Sequence, residues 1–153
     1  MAKRIIVKYD SPVLREKSKV VIEFDERLHS LIDDMKETMI SVRGLGLAAV
    51  QVGILKRVAI VCDDKKDVIH ELINPEIIKM SGSHIGQEGC LSIESKNGFV
   101  ERPRRLIVKA QDRFGNPFTL KTTSVLTTAC VCHELDHLDG ILYIDKLVEV
   151  KNK

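Results

Sequence analysis

The sequence has no tryptophan, and its aromatic residues are two tyrosines and four phenylalanines. Aromatic faces are what stack nucleic-acid bases. Only Phe99 lies close to the one basic cluster, "ERPRR" at 101–105, so that cluster reads as a solvated strand edge. Charge of one sign is also lacking. With 24 basic against 22 acidic residues the net charge is +2, too little for the field that gathers nucleic acid. Long apolar runs are absent as well. The N-terminal run Ile5 to Val7 is too short for a secretory leader, and nothing approaches a membrane span. The expectation is a cytosolic protein with neither nucleic acid nor membrane as partner. No repeat, low-complexity tract or linker interrupts residues 1–153, which are therefore expected to form a single domain. At 44% hydrophobic and 30% charged residues, the composition is that of a globular chain, long enough to bury most of its surface.

Cysteine is present but modest: Cys62, Cys90, Cys130 and Cys132. In a reducing compartment these are core residues, metal ligands or reactive thiols and not a disulfide framework. Two stretches have helical spacing. Leu28, Leu31, Ile32, Met35 and Met39 mark a helix, with Asp25 as its cap and Gly44 as its stop. Residues 124–139, "SVLTTACVCHELDHLD", mark the second, which Gly140 ends. Strands are expected at "LKRVAIVCDD", "VIHELINP" and "EIIKMSG", and in a hairpin turning at "RFGNP". Two helices among short strands with no βαβ rhythm indicate an α+β fold.

The chemistry sits in "HELDH", residues 133–137. Positions i and i+4 share one face of a helix, so His133 and His137 can offer two imidazoles to one ion. Glu134 lies beside them, placed to take a proton without itself ligating. A divalent ion brings the water it holds to a pKa of about 7, within reach of such a carboxylate. The bland alternative is a charged helix face. Two imidazoles do not complete a site, so a third ligand is needed. A third histidine six residues after His137 would fit a metzincin, but that position is Tyr143; a downstream helical glutamate would need a second helix, and only sixteen residues follow His137. Cys132 points off the histidine face. Cys130 lies along it, and Cys90 sits in the bendable stretch "GQEGCLS"; spacing leaves these two equal, with His70 and His84 as outside candidates.

Three segments together resemble the peptide deformylase family: "GLGLAAVQVG" (44–53), "EGCLS" (88–92) and "HELDH" (133–137). "SPVLREKSKVV" and "HLDGILYIDKL" extend the resemblance over nearly the whole chain. It implies a mixed or antiparallel β framework around a central helix bearing the histidines. It also implies the metal ligands Cys90, His133 and His137, with iron(II) as the native ion and zinc, nickel or cobalt able to substitute. The implied reaction removes the formyl group from the N-terminal formylmethionine of a new polypeptide and releases formate. Glu134 would move the proton, while the Gln51 amide and the Leu91 N–H would stabilise the oxyanion. Gly44, Leu45, Gly46 and Gly89 would bind substrate backbone, and Leu91, Leu126, Ala129 and Cys130 would receive the methionine side chain. Glu88 and Asp136 would orient ligands or pair with Arg102. Two positions depart from the family's common pattern: Glu94 stands where a proline is frequent and Asn97 where an arginine is. The basic residues of the short tail after Lys146 suggest the ribosome as a further partner.

Overall fold

The computed structural model describes residues 2–150. Helix α1 (Glu26–Ser41) begins where the Asp25 side chain accepts the Leu28 N–H at 3.1 Å, as an N-cap should. The apolar positions that mark it in sequence, Leu28, Leu31, Ile32, Met35 and Met39, are all buried on one face. There follow β1 (Gly46–Ala48), a 3-10 turn at Ala49–Val52, β2 (Val58–Asp63), β3 (Val68–Ser81), β4 (His84–Cys90), β5 (Ile93–Arg102), β6 (Arg105–Gln111), β7 (Pro117–Lys121), α2 (Val125–Leu138) and β8 (Leu147–Val148). The strands form a five-stranded sheet in the order β1-β2-β3-β6-β7 and a three-stranded sheet in the order β4-β5-β8. Every pairing between these strands is antiparallel. The expected hairpin is β6–β7.

The period of two along a strand distributes the core between the helices. Val58 and Ile60 of β2 pack with α1, while Val61 packs with Val131, Cys132 and Leu135 of α2. At the other end of α2, Leu138 joins Ile93 and Val100 of the three-stranded sheet, together with Leu14, Leu142 and Tyr143. Helix α2 thus touches both sheets, and this sets the site where they meet.

Two sequence expectations need correction. The segments taken as separate strands on either side of Pro75 form the one strand β3, with the register broken between Ile73 and Glu76. Proline has no N–H for the ladder, and Asn74 beside it takes φ +52°. The Asn74 side chain instead accepts from Val21 N–H and donates to Val21 O and Gln111. The half before the break pairs with β2 and the half after it with β6. The second correction concerns "ERPRR". Arg102 is not solvated but 5% exposed, because the alternation of β5 turns it inward like Val100.

Candidate active site

The N-cap Ser124 accepts the Thr127 N–H at 3.1 Å and starts α2. Gly140 ends it with φ +74°, at a place where a Cβ would lie 2.5 Å from the Arg15 carbonyl oxygen. Within these limits His133 and His137 lie one turn apart, both buried, with ring centroids 5.0 Å apart. Cys90, the last residue of β4, brings its Sγ to 3.3 Å from His137 Nε2. One donor atom from each of Cys90, His133 and His137 lies within 4.8 Å of the others. The choice that spacing left open is decided by distance: the cysteine beside the histidines is Cys90, and neither Cys130, His70 nor His84 belongs to this group.

A chain of buried charge holds the cluster in place. Glu88 Oε1 accepts from His133 Nδ1 at 3.0 Å, which leaves Nε2 of that ring for an ion. Arg102 donates to both oxygens of Glu88, at 2.9 and 3.0 Å, and to Asp136 at 2.7 Å. Lys146 reaches Asp136 from outside at 3.2 Å. Burial would raise the Glu88 pKa, but the hydrogen bonds from His133 and Arg102 outweigh it and bring it down to about 2. Burial likewise works against a proton on His133, yet hydrogen bonds to Cys90 and Glu88 lift that ring to about 10, while His137, dominated by burial, falls to about 3. A soft sulfur donor with two imidazoles suits a divalent transition ion. The residues fit the metal.

Glu134 is buried, and burial pushes its carboxyl up to about 7, the range in which a group both takes and returns a proton. Its Oε1 has no hydrogen-bond partner among the described residues. Its other oxygen lies against β1, where a Cβ on Gly46 would come within 2.7 Å of Oε2 and 2.9 Å of Cγ. Glycine is needed there for close approach. Gly46→Ala is expected to push the carboxylate aside and lower kcat by about 10²-fold, since a displacement near 1 Å costs that much. Folding and metal content should be retained. Steady-state kinetics with elemental analysis checks this, and an unchanged kcat would refute it.

Gln51 is 1% exposed; its Oε1 accepts the Ala48 N–H at 2.9 Å, and its Nε2 donates to Ser92 Oγ at 3.2 Å and approaches Cys90 Sγ at 3.6 Å. The carboxamide is thus anchored at one end and faces the cluster with the other. A cavity of about 320 Å³ opens above these groups. Gly44, Leu45 and Gly46 form one wall, and Glu88, Gly89, Cys90 and Leu91 another. Leu126, Ala129, Cys130, His133 and Glu134 complete it from α2. Burial, then the carboxylates of Glu134 and Glu88, push the Cys130 thiol up to about 12, so it stays a neutral wall.

A family model described as polypeptide deformylase matches residues 3–153. The chain belongs to that family. A peptide deformylase of Caldicellulosiruptor bescii is 55% identical over 148 residues, covering 97% of this chain and 87% of the relative. One from Alkaliphilus metalliredigens is 50% identical, covering 97% and 99%. Among solved structures, peptide deformylase from Thermotoga maritima superposes with a TM-score of 0.91 at 35% identity, over 97% of this chain and all of that one. Deformylases are metal-dependent hydrolases that remove the N-formyl group from nascent peptides, and that is the activity of this chain.

Against that family, the expected site residues are gathered as follows. Cys90, His133, Glu134, Gln51 and the expected substrate residues line one cavity, while His137, 1% exposed, sits beside Cys90 and His133 without opening onto it. Leu126 is 44% exposed at the rim. Glu88, Arg102 and Asp136 form one ion-pair chain behind the histidines. Tyr143, where a metzincin would have its third histidine, is buried with its ring nearly parallel to His133, centroids 6.0 Å apart. Glu94 pairs with Lys8 at 2.6 Å, and Asn97 accepts from Gln87 Nε2 at 2.8 Å. Sequence reasoning missed Ser92, which anchors the Gln51 amide, although it belongs to the same "EGCLS" segment. It also missed Gln87, which lines the cavity; its strand alternation points outward and gave no signal. The tail residues Lys151 and Lys153, part of the ribosome expectation, lie outside the described residues.

Proposed function

We propose that Cys90, His133 and His137 hold an iron(II) ion at which formylmethionyl peptides are hydrolysed, with Glu134 as the proton-transfer group. The single observation that carries this reading is the convergence of one thiol and two imidazoles beside a buried, unpartnered carboxylate. When bound, the ion supplies Lewis acidity at the formyl oxygen and lowers the pKa of water in its coordination sphere. Glu134 accepts a proton from the attacking water and returns it to the departing amine, so that formate and a free methionine N-terminus result. Gln51 Nε2, held in line by Ser92 and Ala48, donates to the developing oxyanion, and the Leu91 N–H adds a second donor. Glu88 keeps His133 in the tautomer that leaves Nε2 for the ion, and Arg102 with Asp136 keeps Glu88 ionised.

Gly44 to Gly46 and Gly89 would receive the peptide backbone as an added strand, and Leu91, Leu126, Ala129 and Cys130 the methionine side chain. The donor set also accepts zinc, nickel or cobalt, and iron(II) is favoured by family likeness. The cytosol is favoured by four free thiols, one of them a ligand, which a reducing compartment preserves. The test is formate release from formyl-methionyl-alanine by protein purified without oxygen, with elemental analysis alongside. Turnover with iron at one equivalent per chain is expected. No formate after loading with iron, nickel or cobalt would overturn the reading, and turnover with another resident metal would overturn only the choice of iron.

A further inference from the structure

The cleft described above does not end at Ala129. The alternation of β4 turns His84, Gly86, Glu88 and Cys90 inward and leaves Ile85, Gln87 and Gly89 more exposed. A second cavity of about 200 Å³ lies further along β4, bounded by His84, Gly86, Val100 and Val125. Gln87, Glu88, Leu126 and Ala129 line both cavities, so the second continues the first along the seam between β4 and α2. Gly86 adds no side chain to this seam. A Cβ there would meet the His84 ring at 3.5 Å and no other atom within 4 Å, whereas a Cβ on Gly46 would strike Glu134. Its φ is not positive, so neither backbone conformation nor packing demands glycine at this position. Ala129, across the seam, adds only a methyl group. Arg102 at the floor is spent on Glu88 and Asp136, and although His84 and Gln87 also line the extension, Val100, Val125, Leu126 and Ala129 give it a continuous aliphatic side along which an unbranched apolar chain can lie.

We propose that Gly86 sets the depth of the side-chain pocket, leaving room for N-formyl residues whose unbranched apolar side chains are longer than that of methionine. The inference rests on the reading of the first cavity as the site of the formylated residue. Its test compares formyl-norleucyl-alanine, with a butyl side chain, against formyl-2-aminooctanoyl-alanine, with a hexyl one, on metal-loaded enzyme. Formyl-methionyl-alanine serves as the control. Wild type is expected to keep kcat/KM for the hexyl substrate within about tenfold of that for the butyl one, the cost of a single poorly placed methylene. Gly86→Val, which favours the strand and fills the opening, should lower the hexyl-to-butyl ratio by about tenfold or more. Gly86→Ala should shift the ratio less, in the same direction, and covers the case of a misfolded valine variant. Rejection of the hexyl substrate by wild type beyond about a hundredfold, or an equal loss on both substrates in the variants, would overturn the proposal. Turnover of the methionine control with such rejection sinks this inference alone. A control that yields no formate brings down the deformylase reading, and this inference with it.

Discussion

Glu134→Gln should lower turnover of formyl-methionyl-alanine by about 10³-fold, in the middle of the range for loss of general acid–base transfer. The physical case is narrow. Glutamine has the shape of glutamate, so the close contact with Gly46 and the surrounding packing survive. What is lost is a group that can hold a proton and give it up near neutrality, which burial gives Glu134 by lifting its carboxyl to about 7. An amide has no such capacity. Because Glu134 is not among the three donors, the variant should keep its metal. Kinetics together with metal content separates this from collapse of the site. Activity within tenfold of wild type would remove Glu134 from the proton path.

A second large effect is expected from the cysteines, with opposite signatures. Cys90→Ser replaces a thiolate donor by a hydroxyl that stays protonated beside a divalent ion. Metal should be lost on dialysis and activity should fall by roughly 10²-fold or more, since ligation and site formation are coupled. Cys130→Ser touches only the cavity wall, where the thiol is neutral, and should keep one metal per chain while raising KM about several-fold for lost apolar contact. Elemental analysis of dialysed protein reads the difference directly. Reversed results, with metal lost from Cys130→Ser and kept by Cys90→Ser, would break the assignment at its centre.

The two helices could be read from the sequence because helical burial has a local period. Leu28 to Met39 lie on one face of α1, and Asp25 takes the cap hydrogen bond its position suggests, while Ser124, counted in the second helix, stands just before it as its cap. The hairpin β6–β7 is also local, set by its turn. Strand β3 was harder. Pro75 looks like an end, and only the partners on either side, β2 and β6, show that the chain runs through it. The composition of "ERPRR" misplaced Arg102 for a related reason, although the family resemblance had set it beside Glu88 and Asp136. Its neighbours in sequence are charged and solvated, while its partners Glu88 and Asp136 come from another strand and from α2.

The sequence by itself determined that His133, Glu134 and His137 share one helix and stand ready for hydrolytic metal chemistry, because i and i+4 spacing is a property of the helix alone. It also carried, through three segments in order, the resemblance that implied Cys90 and Gln51. Tertiary structure decided which cysteine stands by the histidines. That contact depends on how β4 docks against α2, and no local period encodes a distance between two elements that meet only after the core has packed. The same docking buries Glu134 against Gly46, raising its affinity for a proton, and leaves the seam open past Gly86.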